Sequence, residues 1–243
     1  MLKYCFFLYL MLILVGCSTK NNQNSIFKDE NLEYVVREAL HKTSGELTIE
    51  ELSSISEISC NCCDDLSGIE KLKNLKFLRL TGSNLSNIDS IKGLKDLEYL
   101  DLRDNVISDI SAIGSLEKLK ELEISINHIR DISVLGKLKN IEQIIAYGNM
   151  IQIMPDFSNC TKLKHIDLSF NNLVFNKNFY SLKDVNELKL MGNKIDQLNW
   201  VPLLKTLTYL NISENPINCN EINAETRKLI LNGVIQSDCS TDH

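Results

Sequence analysis

The sequence predicts an α/β solenoid, a stack of similar coils in which each coil lays one short strand into a shared parallel sheet. Three observations predict it. Apolar residues return in register every 22 residues from Leu75 to Ile217, a period that belongs to repeat architectures. Inside that unit one polar column is asparagine almost throughout, as expected where each strand must turn. The composition fits one continuous fold: 243 residues, 44% hydrophobic and 24% charged, with three prolines, ten glycines and no linker-like run. The formal charge of -6 is spread along the chain as mixed acids and bases, with no basic run, so nucleic acid is not an expected partner.

Residues 1–16 read as an export signal: Lys3 gives the positive start, and residues 4–15 are an apolar stretch too short to span a bilayer as a helix. Leu14-Val15-Gly16-Cys17 resembles the lipobox of bacterial lipoproteins. The resemblance implies that Cys17 receives a diacylglycerol and becomes the first mature residue, placing the protein in the cell envelope, lipid-anchored to a membrane outside the cytoplasm. Several acyl chains on one cysteine bury enough methylene groups, at about 0.8 kcal/mol each, to hold a domain on a bilayer. Residues 17–25 continue small and polar, the composition of a flexible tether.

Residues 26–54 are expected to be helical. Leu32, Val35, Val36, Ala39 and Leu40 fall on one stripe at i, i+3, i+4, i+7 and i+8, and a stripe needs a surface to cover. A second short helix is expected from Thr48, whose side chain can cap it while Glu51 reaches back.

Residues 55–218 form the coils. With Leu75 as position one, the first column continues through Leu97, Leu119, Ile141, Leu163, Val185 and Leu207; the fourth, sixth and eleventh columns are apolar in all seven coils. The ninth reads Asn105, Asn127, Asn149, Asn171, Asn193 and Asn215, with Ser83 the one departure. An amide both donates and accepts, so each asparagine can satisfy backbone groups that the turn leaves unpaired. The seventeenth and twentieth columns complete the core and make Cys160 a small buried hydrophobe. The fifth coil departs at its fourteenth position, Asn176, where the backbone is expected to take another path.

This pattern resembles leucine-rich-repeat proteins, specifically the bacterial internalin type. Ser108-Asp109-Ile110-Ser111-Ala112-Ile113 and Arg130-Asp131-Ile132-Ser133-Val134-Leu135 are similar to the post-strand turn of that group, and Ile26-Phe27-Lys28-Asp29 with the following helix is similar to its N-terminal cap. The resemblance implies a shallow leucine-rich-repeat arc with a concave parallel sheet and a helical cap at the N-terminal end. It also implies protein recognition, in adhesion or host interaction.

Residues 219–243 are expected to cap the other end. Cys219 and Cys239 bracket an amphipathic helix expected over 221–232, ended by Gly233, and their pairing would staple it. Cys60, Cys62 and Cys63 could offer soft metal ligands, but the spacing is not C-x-x-C and no histidine lies nearby. A local disulfide or plain packing is therefore favoured, with no metal and no cofactor.

No catalytic motif appears, and the protein is read as a non-enzyme. His165, Asp167 and Ser169 alternate on one strand, but His165 and Ser169 would stand about 13 Å apart with the acid between them, the wrong order for a triad. Recognition is expected on the exposed strand positions of the concave face instead, at Phe77, Tyr99, Arg103, Ile145 and Tyr147, where aromatics and arginine suit an interface. Phe77 and Tyr99 share a column on adjacent strands, so their rings should lie side by side in one continuous patch. The expected partner is a protein, bound by a monomer. The alternative is a structural lipoprotein that organises neighbouring envelope proteins or glycans.

Overall fold

The computed structural model describes residues 25–239. The export signal, Cys17, the tether up to residue 24 and residues 240–243 lie outside the described residues.

Asp29 accepts from the Leu32 amide at 2.8 Å and caps α1, Glu30–Ala39, a charge-assisted bond at the positive end of the helix dipole. Leu32 and Val36 are fully buried, whereas Ala39 is exposed, so the stripe is narrower than its sequence period suggests. Thr48 and Glu51 form the reciprocal capping box of α2, Ile49–Ser54. Nine strands follow: β1 Glu57–Asn61, β2 Phe77–Thr81, β3 Tyr99–Asp101, β4 Glu121–Glu123, β5 Gln143–Ile145, β6 His165–Asp167, β7 Glu187–Lys189, β8 Tyr209–Asn211 and β9 Ile235–Gln236. They pair in chain order as one open, wholly parallel sheet. The register is the sequence period: Leu78, Leu100, Leu122, Ile144, Ile166, Leu188 and Leu210 stand opposite one another. Their side chains point inward and are almost wholly buried.

The asparagine column works as its chemistry requires. Asn127 Nδ2 donates to the Leu102 and Ile124 carbonyls at 2.9 and 3.1 Å, and its Oδ1 accepts from the Ile107 amide at 2.9 Å. One buried amide thus joins two coils and satisfies backbone groups on both. Ser83 does half of this: its hydroxyl accepts from the Cys63 amide at 3.2 Å and donates to the Thr81 carbonyl rather than across the coil.

One position before the asparagine, the chain turns in the left-handed region in every coil. Gly82, Gly148 and Gly192 adopt it without cost, whereas Asp104, Ile126, Phe170 and Glu214 adopt it against their side chains, all seven at φ between 53° and 66°. On the far side of the coils, short 3-10 turns carry the chain back, except between β5 and β6, where the return is irregular. At Ile88, Ile110 and Ile132 the backbone before the turn is near φ -116°, ψ 18°, but Asn176 is extended at φ -147°, ψ 168°. Asn176 Oδ1 caps the turn by accepting from the Asn178 amide, while Phe175 packs against Phe179 in the core. The amide oxygen at this otherwise apolar position thus finds a backbone partner while Nδ2 is buried without one, and the neighbouring Phe175 helps fill the space.

After β8 the expected helix begins later than the sequence reading placed it. Asn223 accepts from the Thr226 amide at 2.8 Å, so α3 spans Ala224–Leu231 and residues 219–221 form a separate 3-10 turn. Gly233 ends it at φ +73°, and the chain then adds β9 to the sheet, a strand not expected from the repeat. Cys219 and Cys239 are paired with Cα atoms 5.5 Å apart, and Cys60 and Cys63 are paired at 5.9 Å. Cys62 is an exposed free thiol; Cys160 is buried, its thiol pushed up to about 11 by that burial.

Candidate recognition surface

The third, fifth and seventh positions of each coil project from the outer face of the sheet. On β2 and β3 the register sets Phe77 beside Tyr99, and the rings stack with centroids 4.3 Å apart and planes within 5°. The Arg79 guanidinium lies over both, 5.2 Å from the Phe77 centroid and 5.9 Å from that of Tyr99, and donates to the Tyr99 hydroxyl at 3.3 Å. Stacking and cation–π attraction fix these large side chains before any partner arrives.

Arg79 was not singled out from sequence; Arg103 was, and the structure gives it a different place. Its guanidinium makes two bonds to the Asp101 carboxylate, at 3.0 and 2.8 Å. Arg79 takes the same carboxylate at 3.1 Å, and Asp101 is completely covered. The aspartate therefore holds both arginines on the face, Arg79 over the rings and Arg103 toward the post-strand edge.

The patch is not continuous. Between Tyr99 and the next apolar residues stands β4, which presents Glu121 and Glu123. Glu123 receives the Ser125 hydroxyl at 2.5 Å, and burial, the largest influence, raises its pKa above the ordinary glutamate range. Ile145 lies half-buried beyond it, and Tyr147 turns to a partner the sequence reading missed: its ring meets Phe170 edge-on at 5.2 Å. Phe170 sits over Gly192, and Ile126 sits against Gly148, the nearest contact to a Cβ built there being 3.7 Å. Ile126, Tyr147 and Phe170 are 53%, 41% and 39% exposed, a second apolar cluster along the post-strand edge. The available signal was bulky apolar residues in a column that elsewhere holds glycine.

The three residues that alternate on and after β6 do not assemble. His165 faces Glu187 at 3.4 Å, while Asp167 accepts from the Ser169 amide at 3.0 Å. Among the described residues no cluster of three or more histidine, cysteine, aspartate or glutamate side chains could hold a metal. No described helix is long and apolar enough to cross a membrane.

Residues 95–137 match the leucine-rich-repeat family as two copies, and residues 159–174 match it as a single repeat. Among solved structures, an internalin of Listeria monocytogenes is similar at 28% identity and a TM-score of 0.78, over 89% of this chain and 64% of that one. The present chain thus spans just under two thirds of that protein. Internalin C2 of the same species is similar at 22% identity and a TM-score of 0.75, over 86% of this chain and 92% of that one. The plant peptide hormone receptor RGFR1, solved in complex with RGF2, is similar at 23% identity and a TM-score of 0.64, over 80% and 34% of the two chains. No curated protein is significantly similar in sequence. The chain carries leucine-rich repeats, and its solenoid is similar to those of internalins.

Proposed function

We propose that this leucine-rich-repeat protein is a lipid-anchored binding protein of the bacterial envelope, which captures a protein partner on its outer sheet face in adhesion or host interaction. The observation that carries the reading is the Phe77–Tyr99 stack under Arg79, two aromatic rings and a guanidinium fixed in place on a solvent-facing sheet. Such preordered groups lose little side-chain freedom on binding, which favours them as interface anchors. Tyr147 with Phe170 and Ile126 supplies a second contact, and the acidic strand between the two clusters favours a partner presenting a basic or hydrogen-bonding group there. Repeat folds of this class engage protein or peptide ligands, as the receptor RGFR1 does RGF2. Recognition needs no catalytic step, and the protein acts as a monomer.

The test is to identify the partner by crosslinking on intact cells and then compare the parent with a Tyr99→Ala, Tyr147→Ala variant. Each substitution is expected to weaken binding by about 2 kcal/mol with little change in melting temperature. Undiminished binding by the double variant would overturn the reading. Capture only of neighbouring envelope components, on a protein that resists surface labelling of intact cells, would favour a structural role in the envelope.

A further inference from the structure

The two long edges of the stack differ in charge. Along one edge the chain leaves the strands through the left-handed turn. The seven five-residue segments there, from residues 81–85 to residues 213–217, carry two basic and two acidic residues, leaving no net charge. Along the other edge the chain enters the strands from the 3-10 turns. The corresponding segments, from residues 72–76 to residues 204–208, carry ten lysines against five acids, a net charge of +5 in a chain whose total is -6. No basic run exists in the linear sequence. The period of 22 gathers dispersed lysines onto one line.

Contacts along that line show that these side chains share one edge. Lys118 pairs with Asp96 at 2.6 Å, Lys120 with Glu98 at 2.5 Å, and Lys162 donates to Asn140 at 2.9 Å, each reaching the coil before it. Lys73, Lys139, Lys162 and Lys183 are exposed and have no carboxylate at ion-pair distance among the described residues. The N-terminal segment enters the fold beside the start of this line: a Cβ built on Gly68 would lie 2.5 Å from the Ile26 carbonyl oxygen, and the first lysine segment follows four residues later. From Cys17 to Ser25 the chain reaches at most about 28 Å.

We propose that this lysine-bearing edge rests on an anionic phospholipid surface and so sets the orientation of the domain on its membrane. The inference rests on the reading of Cys17 as a lipid anchor. Near an anionic bilayer each lysine adds an attraction that decays within a Debye length of about 8 Å at physiological salt. A net charge this small gives weak attachment by itself. With the anchor confining the domain to the length of its tether, docking is effectively intramolecular, and a small attraction is enough to select one edge. The opposite edge, with Ile126, Tyr147 and Phe170, then points away from the bilayer.

The experiment takes the mature protein recovered from cells expressing the full chain, mixes it with phosphatidylcholine vesicles, with or without about 30 mol% phosphatidylglycerol, and reads flotation and lysine accessibility, the latter by amine-reactive labelling and peptide mass spectrometry. In the anionic vesicles labelling of Lys73, Lys139, Lys162 and Lys183 is expected to fall about threefold, while Lys189 on the sheet face and Lys228 on α3 keep their reactivity. Raising salt to about 0.5 M is expected to abolish the protection. Flotation with both vesicle types but uniform labelling overturns the edge assignment and leaves the anchor reading standing. Protection of Lys189 in place of the edge lysines also overturns it. Flotation with anionic vesicles alone, edge lysines protected, supports the edge while rejecting the anchor; no flotation with either rejects both.

Discussion

At the scale of single residues, one buried amide and one strained aliphatic side chain do opposite things a position apart. Asn127 bridges two coils through a fully satisfied set of backbone bonds. Asn127→Ala would leave buried amide and carbonyl groups unpaired and is expected to cost about 1–3 kcal/mol, read from thermal or denaturant melts. Ile126 is a β-branched residue at φ 54°, a backbone region that costs such a residue about 1–2 kcal/mol, and its side chain is more than half exposed. Ile126→Gly is therefore expected to stay within about 0.5 kcal/mol of the parent, because relief of strain offsets lost packing and added chain entropy. Ile124→Ala, at a fully buried site two residues earlier, is expected to cost about 2–5 kcal/mol in the same melts. The asparagine column was legible in the sequence because its chemistry is local and repeated. The strained column was not, since a left-handed turn shows in sequence only when glycine fills it, and here aspartate, isoleucine, phenylalanine and glutamate alternate with glycine.

At the scale of elements, the apolar period placed every strand from β2 to β8, because each inward side chain has nowhere else to go once its neighbours are stacked. The elements at the ends were legible only in outline. The start of α3 is set by Asn223, whose side chain accepts from the Thr226 amide, so the helix opens at Ala224 rather than at 221. β9 could not be foreseen, since it is two residues long and lies outside the repeat. The Cys219–Cys239 pair ties the far side of α3 back to the last coil across 20 residues. Peptide mapping without reductant is expected to recover these two cysteines joined, and Cys219→Ser with Cys239→Ser to lose about 3 kcal/mol of stability. Free thiols at both positions would remove the staple. On the sheet face the Phe77–Tyr99 contact was legible as two aromatics in one column on adjoining strands. Arg79 over those rings was not, because the rotamer of a long side chain depends on Asp101 one strand away.

At the scale of the whole molecule, the repeat makes a sheet face and two unlike edges, to which the proposed function adds an anchor at one end. Cys17→Ser is expected to release the exported protein from the membrane fraction, because no described helix offers another anchor. Continued membrane retention of that variant after export and cleavage would count against lipid anchoring. The asparagine bridges also give the stack an arrow. Each asparagine serves the turn of the coil before it: Asn149 accepts from Ile129, Asn171 from Ile151, Asn193 from Leu173 and Asn215 from Ile195. From Leu85 to Ile195, each such turn is completed by the coil that follows it. A chain that emerges N-terminus first leaves its newest coil open until the next has emerged, and removing a coil leaves the preceding one unfinished. Beyond the last asparagine the pattern changes: the Ile217 amide is taken by the Asn215 carbonyl of its own coil, while the segment after α3 continues the strand bonding, the Gln236 carbonyl accepting from Ile212 and the Asp238 carboxylate from Glu214. The coils are in this sense a seam sewn in one direction, each held by a stitch from the next.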